Sequence, residues 1–152
     1  MKRLMLGVLI LMLCVLSCSC AKEGKSASLL LEERLARIEN LPQGEIYRSD
    51  AAEGEAGYFS ERLRRTVYGE RDAEHCFGLI EDYAIYLCSF AEPCELAVFR
   101  CYAASDADRV AEMCLSRIEY LRIVLAGTDF RARADRATVT VDGRVVIMTL
   151  VP

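Results

Sequence analysis

The chain has 152 residues, with 23 acidic and 19 basic side chains, one histidine and eight cysteines, for a formal charge of −4. That length has room for one domain. The acidic balance argues against a nucleic-acid partner, because phosphate binding draws on clustered cations. It also offers no general attraction to anionic headgroups, so residence at a membrane requires an anchor.

The amino terminus carries the clearest signal. Lys2-Arg3 is a positive start, and Leu4 to Leu16 is a 13-residue apolar run. Such a run suits a signal-peptide core, since a spanning helix needs about 20 residues. It ends in Val15-Leu16-Ser17-Cys18. This tetrapeptide resembles the lipobox of bacterial lipoproteins: an aliphatic residue, two tolerant positions with a small residue last, then cysteine. The resemblance implies cleavage before Cys18, with a diacylglyceryl group joined to its thiol as a thioether. Small Ser17 gives the peptidase access to the bond. Residues 1–17 are then the signal peptide and 18–28, small and polar, a lipid-anchored flexible tether. Residues 29–152 form a single domain. Losing Lys2 and Arg3 moves the formal charge from −4 to −6 and leaves 135 residues, which bury roughly two thirds of the unfolded surface. An ordinary secretory signal, or Cys20 as the anchor, are the alternatives.

Leu29 to Ile38 is amphipathic, with Leu31, Leu35 and Ile38 on one face, and Pro42 ends it. Gln43 to Gly57 reads as loop. Ser60 predicts a helix over Glu61–Tyr68 closed by Gly69, with Arg62, Arg64 and Arg65 as a solvated face. Asp82 to Phe90 and Glu95 to Tyr102 read as antiparallel strands around Glu92-Pro93. In the second of these, Ala97, Phe99 and Cys101 share one face, and Leu96, Val98 and Arg100 the other.

Ser105 is expected to cap the longest helix, with Asp106 and Asp108 favouring its positive end. Val110, Cys114, Ile118, Leu121 and Leu125 form its core stripe, widened by Met113 and Val124. Gly127 is placed to end it in a left-handed conformation. Ala137 to Val141 and Arg144 to Val151 close the chain as a hairpin with Asp142-Gly143 as a type I′ turn. That turn pairs Val141 with Arg144, Val139 with Val146 and Ala137 with Met148. Val139, Val146, Met148 and Leu150 then share one face. The order strand–strand–helix–strand–strand predicts an α+β domain: an antiparallel sheet, one long helix packed on it and short amino-terminal helices alongside.

The run Glu95-Leu96-Ala97-Val98-Phe99-Arg100, the helix start at Asp106 to Asp108 and Asp142-Gly143-Arg144-Val145-Val146 occur in that order. Over roughly Leu79 to Val151, and in the lipobox, the chain resembles a family of short lipoproteins from Gram-positive bacteria that is catalogued only as a domain of unknown function. The resemblance supports the anchor and the fold and implies no catalytic residue.

Cys76, Cys88, Cys94, Cys101 and Cys114 lie in the folded part. Five is odd, so one stays unpaired unless Cys20 or another chain joins in. Cys88, Cys101 and Cys114 fall in apolar patterns, where a free thiol acts as a small hydrophobe. Mostly free, buried thiols is the preferred reading, and one or more disulfides the other.

His75, beside Cys76, is read as a loop histidine rather than a metal ligand or half of a nucleophile pair, because adjacent side chains point apart. Asp106, Asp108 and Asp129 are read as helix-end chemistry rather than an acid–base pair. Arg131, Arg133 and Arg136 read as a solvated edge; an anionic cell-wall polymer or an acidic partner face is the sharper alternative. Tyr47, Tyr58, Tyr83, Tyr86, Tyr102 and Tyr120 default to the edge of the core, and would mark a contact surface if exposed together. No catalytic, metal or cofactor-binding residue is assigned, and Cys18 is the one modified position. The expectation is a lipoprotein on the outer face of the bacterial cytoplasmic membrane. It would act as a binding module for an envelope protein or cell-wall polymer, with a small cell-envelope hydrolase as the alternative.

Overall fold

The structure is a computed structural model that describes residues 24–89 and 91–152. The expected signal peptide, Cys18, Cys20 and Phe90 lie outside those residues.

The α+β expectation holds, with one strand more than anticipated. The elements run α1 (Ala27–Leu35), β1 (Gly44–Arg48), α2 (Glu61–Tyr68), α3 (Glu70–Cys76), β2 (Ile80–Cys88), β3 (Glu95–Cys101), α4 (Ala104–Val124), α5 (Arg131–Asp135), β4 (Thr138–Asp142) and β5 (Val145–Leu150). The five strands form one antiparallel sheet in the order β1-β2-β3-β5-β4.

Both faces of the sheet are covered. Ile85 of β2, Ala97 and Phe99 of β3, and Val146 and Met148 of β5 meet Val110, Cys114 and Ile118 of α4, with α2 and α3 closing the same side. On the opposite face Ala84, Tyr86, Leu96, Val98 and Ile147 pack under Leu31 of α1. The alternation in β3 therefore sorts two apolar sets into two cores. A smaller cluster of Leu121, Leu125, Ala134 and Leu150 joins the end of α4 to α5.

Local chemistry accounts for several boundaries. The Ser60 hydroxyl accepts from the Leu63 N–H at 3.2 Å and caps α2, as its sequence predicts. Every residue of the α4 stripe is buried, whereas Val124 is 40% exposed and stands outside it. Ser105 does not cap α4. The cap position is Ala103, whose N–H donates to the Asp106 carboxylate at 3.2 Å, so the acid in the first turn reaches back instead. Gly127 adopts φ +81°, as expected.

Four further expectations are corrected. Helix α1 starts at Ala27, capped by Ser26, and ends at Leu35, so residues 24–28 belong to the fold rather than to a free tether. The Ala27 N–H donates to Asp82 at 2.7 Å, and Arg100 donates to the Gly24 carbonyl at 2.9 Å. Residues 43–57, expected to be loop, contain β1, a short edge strand formed against β2. At Gly44 any Cβ would meet the Leu87 carbonyl at 2.7 Å, so glycine is required by close approach. Residues 70–76 form α3, a helix too short for its periodicity to be read.

In the closing hairpin Asp142 pairs with Val145, Val141 with Val146 and Val139 with Met148. The turn is Gly143-Arg144, with glycine at positive φ first, and not Asp142-Gly143. The slip is by two residues on the returning strand, which preserves side-chain parity, so Val139, Val146, Met148 and Leu150 keep the shared face.

Leu121, 2% exposed between α4 and β5, should lose about 2–5 kcal/mol of stability on truncation to alanine. Thr140, on the exposed side of edge strand β4, should lose less than half of that in Thr140→Ala. Denaturant melts of the two variants check this, and equal losses would contradict the assigned faces.

Candidate functional site

Glu95 is the first residue of β3 and shares the α4-facing side with Ala97 and Phe99. Arg117 lies on α4 between Cys114 and Leu121, on the same buried arc. The two meet: Arg117 Nε donates to Glu95 Oε2 at 3.0 Å, with side chains only 6% and 2% exposed. Tyr68, the last residue of α2, donates its hydroxyl to Glu95 Oε1 at 2.9 Å, so each carboxylate oxygen has a partner. The Arg117 guanidinium also lies 5.7 Å from the Tyr120 ring centroid. Burial, followed by the Glu95 charge, holds the Tyr68 hydroxyl well above its ordinary value of 10.0.

Beside this group a cleft of about 170 Å³ opens at the end of the sheet where β2 turns into β3. Leu63 and Val67 of α2, Leu87, Pro93, Leu121 and Leu150 make its apolar walls, and Glu95 and Arg117 supply charge. Cys88 and Cys94 line it too. Because the two charges neutralise each other, the cleft suits an apolar group that brings a polar atom to the pair.

Sequence reasoning did not single out Glu95, Arg117 or Tyr68. The available signal was a charged residue on each of two faces already identified as core, which is the informative kind of exception.

The residues that were singled out are dispersed. His75 lies on α3, not in a loop; it is exposed, and its Nδ1 is 2.7 Å from the Arg71 carbonyl oxygen. Cys76 is fully buried, so the neighbours do point apart. Asp106 caps α4, while Asp108 and Asp129 are exposed. Arg131 pairs with Asp135 at 2.9 Å. Arg133 is half-buried and donates to the Pro93 carbonyl at 2.7 Å, pinning the β2–β3 turn to α5, which corrects its reading as a solvated edge. Arg64 is corrected likewise: it donates to the Phe59 carbonyl at 2.8 Å and the Tyr83 hydroxyl at 3.0 Å, and its guanidinium lies 4.9 Å from the Phe77 ring centroid. Tyr83 and Tyr86 are buried and only Tyr102 and Tyr120 are well exposed, so the tyrosines do not form one surface. The five cysteines of the described residues are free thiols. Among the described residues no group of three or more His, Cys, Asp or Glu side chains is placed to hold a metal ion, and no helix is long and apolar enough to cross a membrane.

Fold and cleft together define an α+β domain with a sheet covered on both faces and an apolar cleft at one end. No family model matches the chain, and neither does any curated protein or solved structure.

Removing one member of a buried ion pair strands the other, so Arg117→Met should cost about 3–5 kcal/mol. Replacing the whole group (Tyr68→Phe, Glu95→Met, Arg117→Met) should cost less, because no buried polar atom is then stranded. Denaturant melts decide it, and a triple variant less stable than the single would refute the pairing.

The buried acids also set an alkaline limit. Burial raises the Cys94 thiol from 9.0 to about 12 and the Cys101 thiol to about 11, and pushes Cys114 well above 9.0. Folded values above unfolded ones mean that this stability is fully present below pH 9 and is lost as pH rises through the folded values. Melting midpoints in reductant should fall as pH climbs from 9 toward 12, and no decline by pH 11.5 would contradict the burial of these thiols.

Proposed function

We propose that the chain is an extracytoplasmic lipoprotein, held at the outer face of the bacterial cytoplasmic membrane by a diacylglyceryl group on Cys18, whose domain binds an envelope partner. The observation that carries the anchor is Val15-Leu16-Ser17-Cys18 at the close of the 13-residue apolar run that follows Lys2-Arg3. The two acyl chains of such a group hold a protein stably, where one holds it marginally. The likeness to short Gram-positive lipoproteins, carried by the motifs quoted above, agrees with this reading.

The position of the cleft supports binding. Residues 19–23 span at most about 18 Å even when fully extended, so the domain stays close to its anchor. The chain enters α1 beside Asp82 and Arg100, where β2 starts and β3 ends. The cleft lies at the other end of the same strands, beside Cys88 and Glu95. Cys88 lies six residue steps along the strand from Asp82, roughly 20 Å. An anchor at the first end puts the cleft at the opposite end of the strands, within reach of a protein partner that inserts an apolar side chain. The wall polymer is the weaker candidate, because two of the three arginines proposed to meet it are engaged within the fold.

Cys18→Ala should abolish lipid attachment and leave uncleaved precursor, seen by mass spectrometry of fractionated cells; normal processing and mass would sink the anchor. In the same cells a photo-crosslinking side chain at Thr66, on the cleft, should give one discrete protein adduct that the same group at exposed Thr140 does not. Identical adducts from both positions would remove the cleft from the reading.

A further inference from the structure

We propose that Cys88 and Cys94 are an oxidisable dithiol pair that closes a disulfide across the base of the β2–β3 turn, beside the cleft. The pairing follows the ladder. Leu87 faces Glu95, and one step on the Cys88 N–H donates to the Cys94 carbonyl at 2.9 Å, which sets the two cysteines opposite each other. Directly opposite residues put their side chains on one face, and both thiols join the cluster of Tyr86, Leu96 and Val98 under α1. Directly opposed residues of an antiparallel pair have Cα atoms about 4.5–5.5 Å apart, inside the span of about 4.4–6.8 Å that a disulfide bridges. Cys88 is the more accessible: it is half-buried and borders the cleft, whereas Cys94 is 2% exposed.

The other three thiols are placed differently. Cys76, Cys101 and Cys114 are fully buried on the opposite side of the sheet, beneath α4, where no solution reagent reaches them without unfolding. The fold therefore separates one reactive pair from three inert hydrophobes.

The oxidant is a disulfide, RSSR, small-molecule or protein-borne. The Cys88 thiolate attacks one sulfur of RSSR, giving a Cys88–SR mixed disulfide and releasing RS⁻, which takes up a proton. The Cys94 thiolate then attacks Cys88 Sγ and expels the second RS⁻. Two thiols lose two electrons and two protons, and RSSR leaves as two RSH. Burial holds the Cys94 thiol at about 12, which makes the second displacement the slower one. The closed link would fix Pro93 and the cleft wall that it forms. The chemistry stands independently of export and of any ligand.

The test uses the full-length chain, purified in reductant, exchanged into oxidised glutathione, then unfolded, alkylated and cut by chymotrypsin after Phe90. The peptides carrying Cys88 and Cys94 should stay joined, about 2 Da lighter than their reduced sum, with Cys76, Cys101 and Cys114 fully alkylated. Alkylation of both cysteines, glutathione retained on either, or a link from either to any other cysteine would overturn the proposal. In Cys88→Ser, Cys94 should remain reduced under the same treatment; its oxidation in that variant would show that Cys88 is not the entry point.

Discussion

Strand β3 is buried on both sides, and the rest of the domain follows from that. Leu96 through Phe99 are all at most 1% exposed, with alternate residues pointing into different cores. A strand of this kind leaves the sheet no wet face at its centre, so each side must be roofed by a helix. Helix α4 roofs one side and α1 the other. The second roof explains why the chain is held from Gly24 onward: α1 reaches its place only when its first turn is fixed, which Asp82 does by accepting the Ala27 N–H and Arg100 by gripping the Gly24 carbonyl.

At the far end of β3 the same packing meets a charge. Glu95 occupies a core position and is matched there by Arg117 and Tyr68. A buried, hydrogen-bonded pair contributes little net stability against an apolar alternative, but it is intolerant of misalignment. It ties the rotation of α4 and the end of α2 to the first residue of the strand. The cleft is what remains between these three elements and the β2–β3 turn, so its shape depends on the pair being intact. That turn is held in addition by Arg133 at the Pro93 carbonyl, and an oxidised Cys88–Cys94 pair would hold it a third way.

Much of the fold was legible in local pattern. The α4 stripe, the Ser60-to-Gly69 helix, the two faces of β3 and the shared face of the closing hairpin all rest on periods of 3.6 or 2 and on caps that act within one turn. The failures share a cause. β1 carries a single inward aromatic, Tyr47, over Phe59, and exists because β2 offers it an open edge. Helix α3 has two buried residues in seven, too few to define a period. Arg64 reads as solvent-facing until Phe77 and Tyr83 are brought beneath it from elsewhere in the chain.

The candidate site divides the same way. By itself the sequence determined the identity of the apolar faces, which is a local periodicity, and it carries the contiguous Val15-Leu16-Ser17-Cys18 motif on which the proposed export signal rests. Only the tertiary structure decided what covers those faces, that Glu95 and Arg117, 22 residues apart, become one buried pair, and that Cys88 stands opposite Cys94 while the other three thiols lie across the sheet. Periodicity reports which side of an element avoids water. It carries no information about the partner that excludes the water, because that partner is chosen by long-range packing.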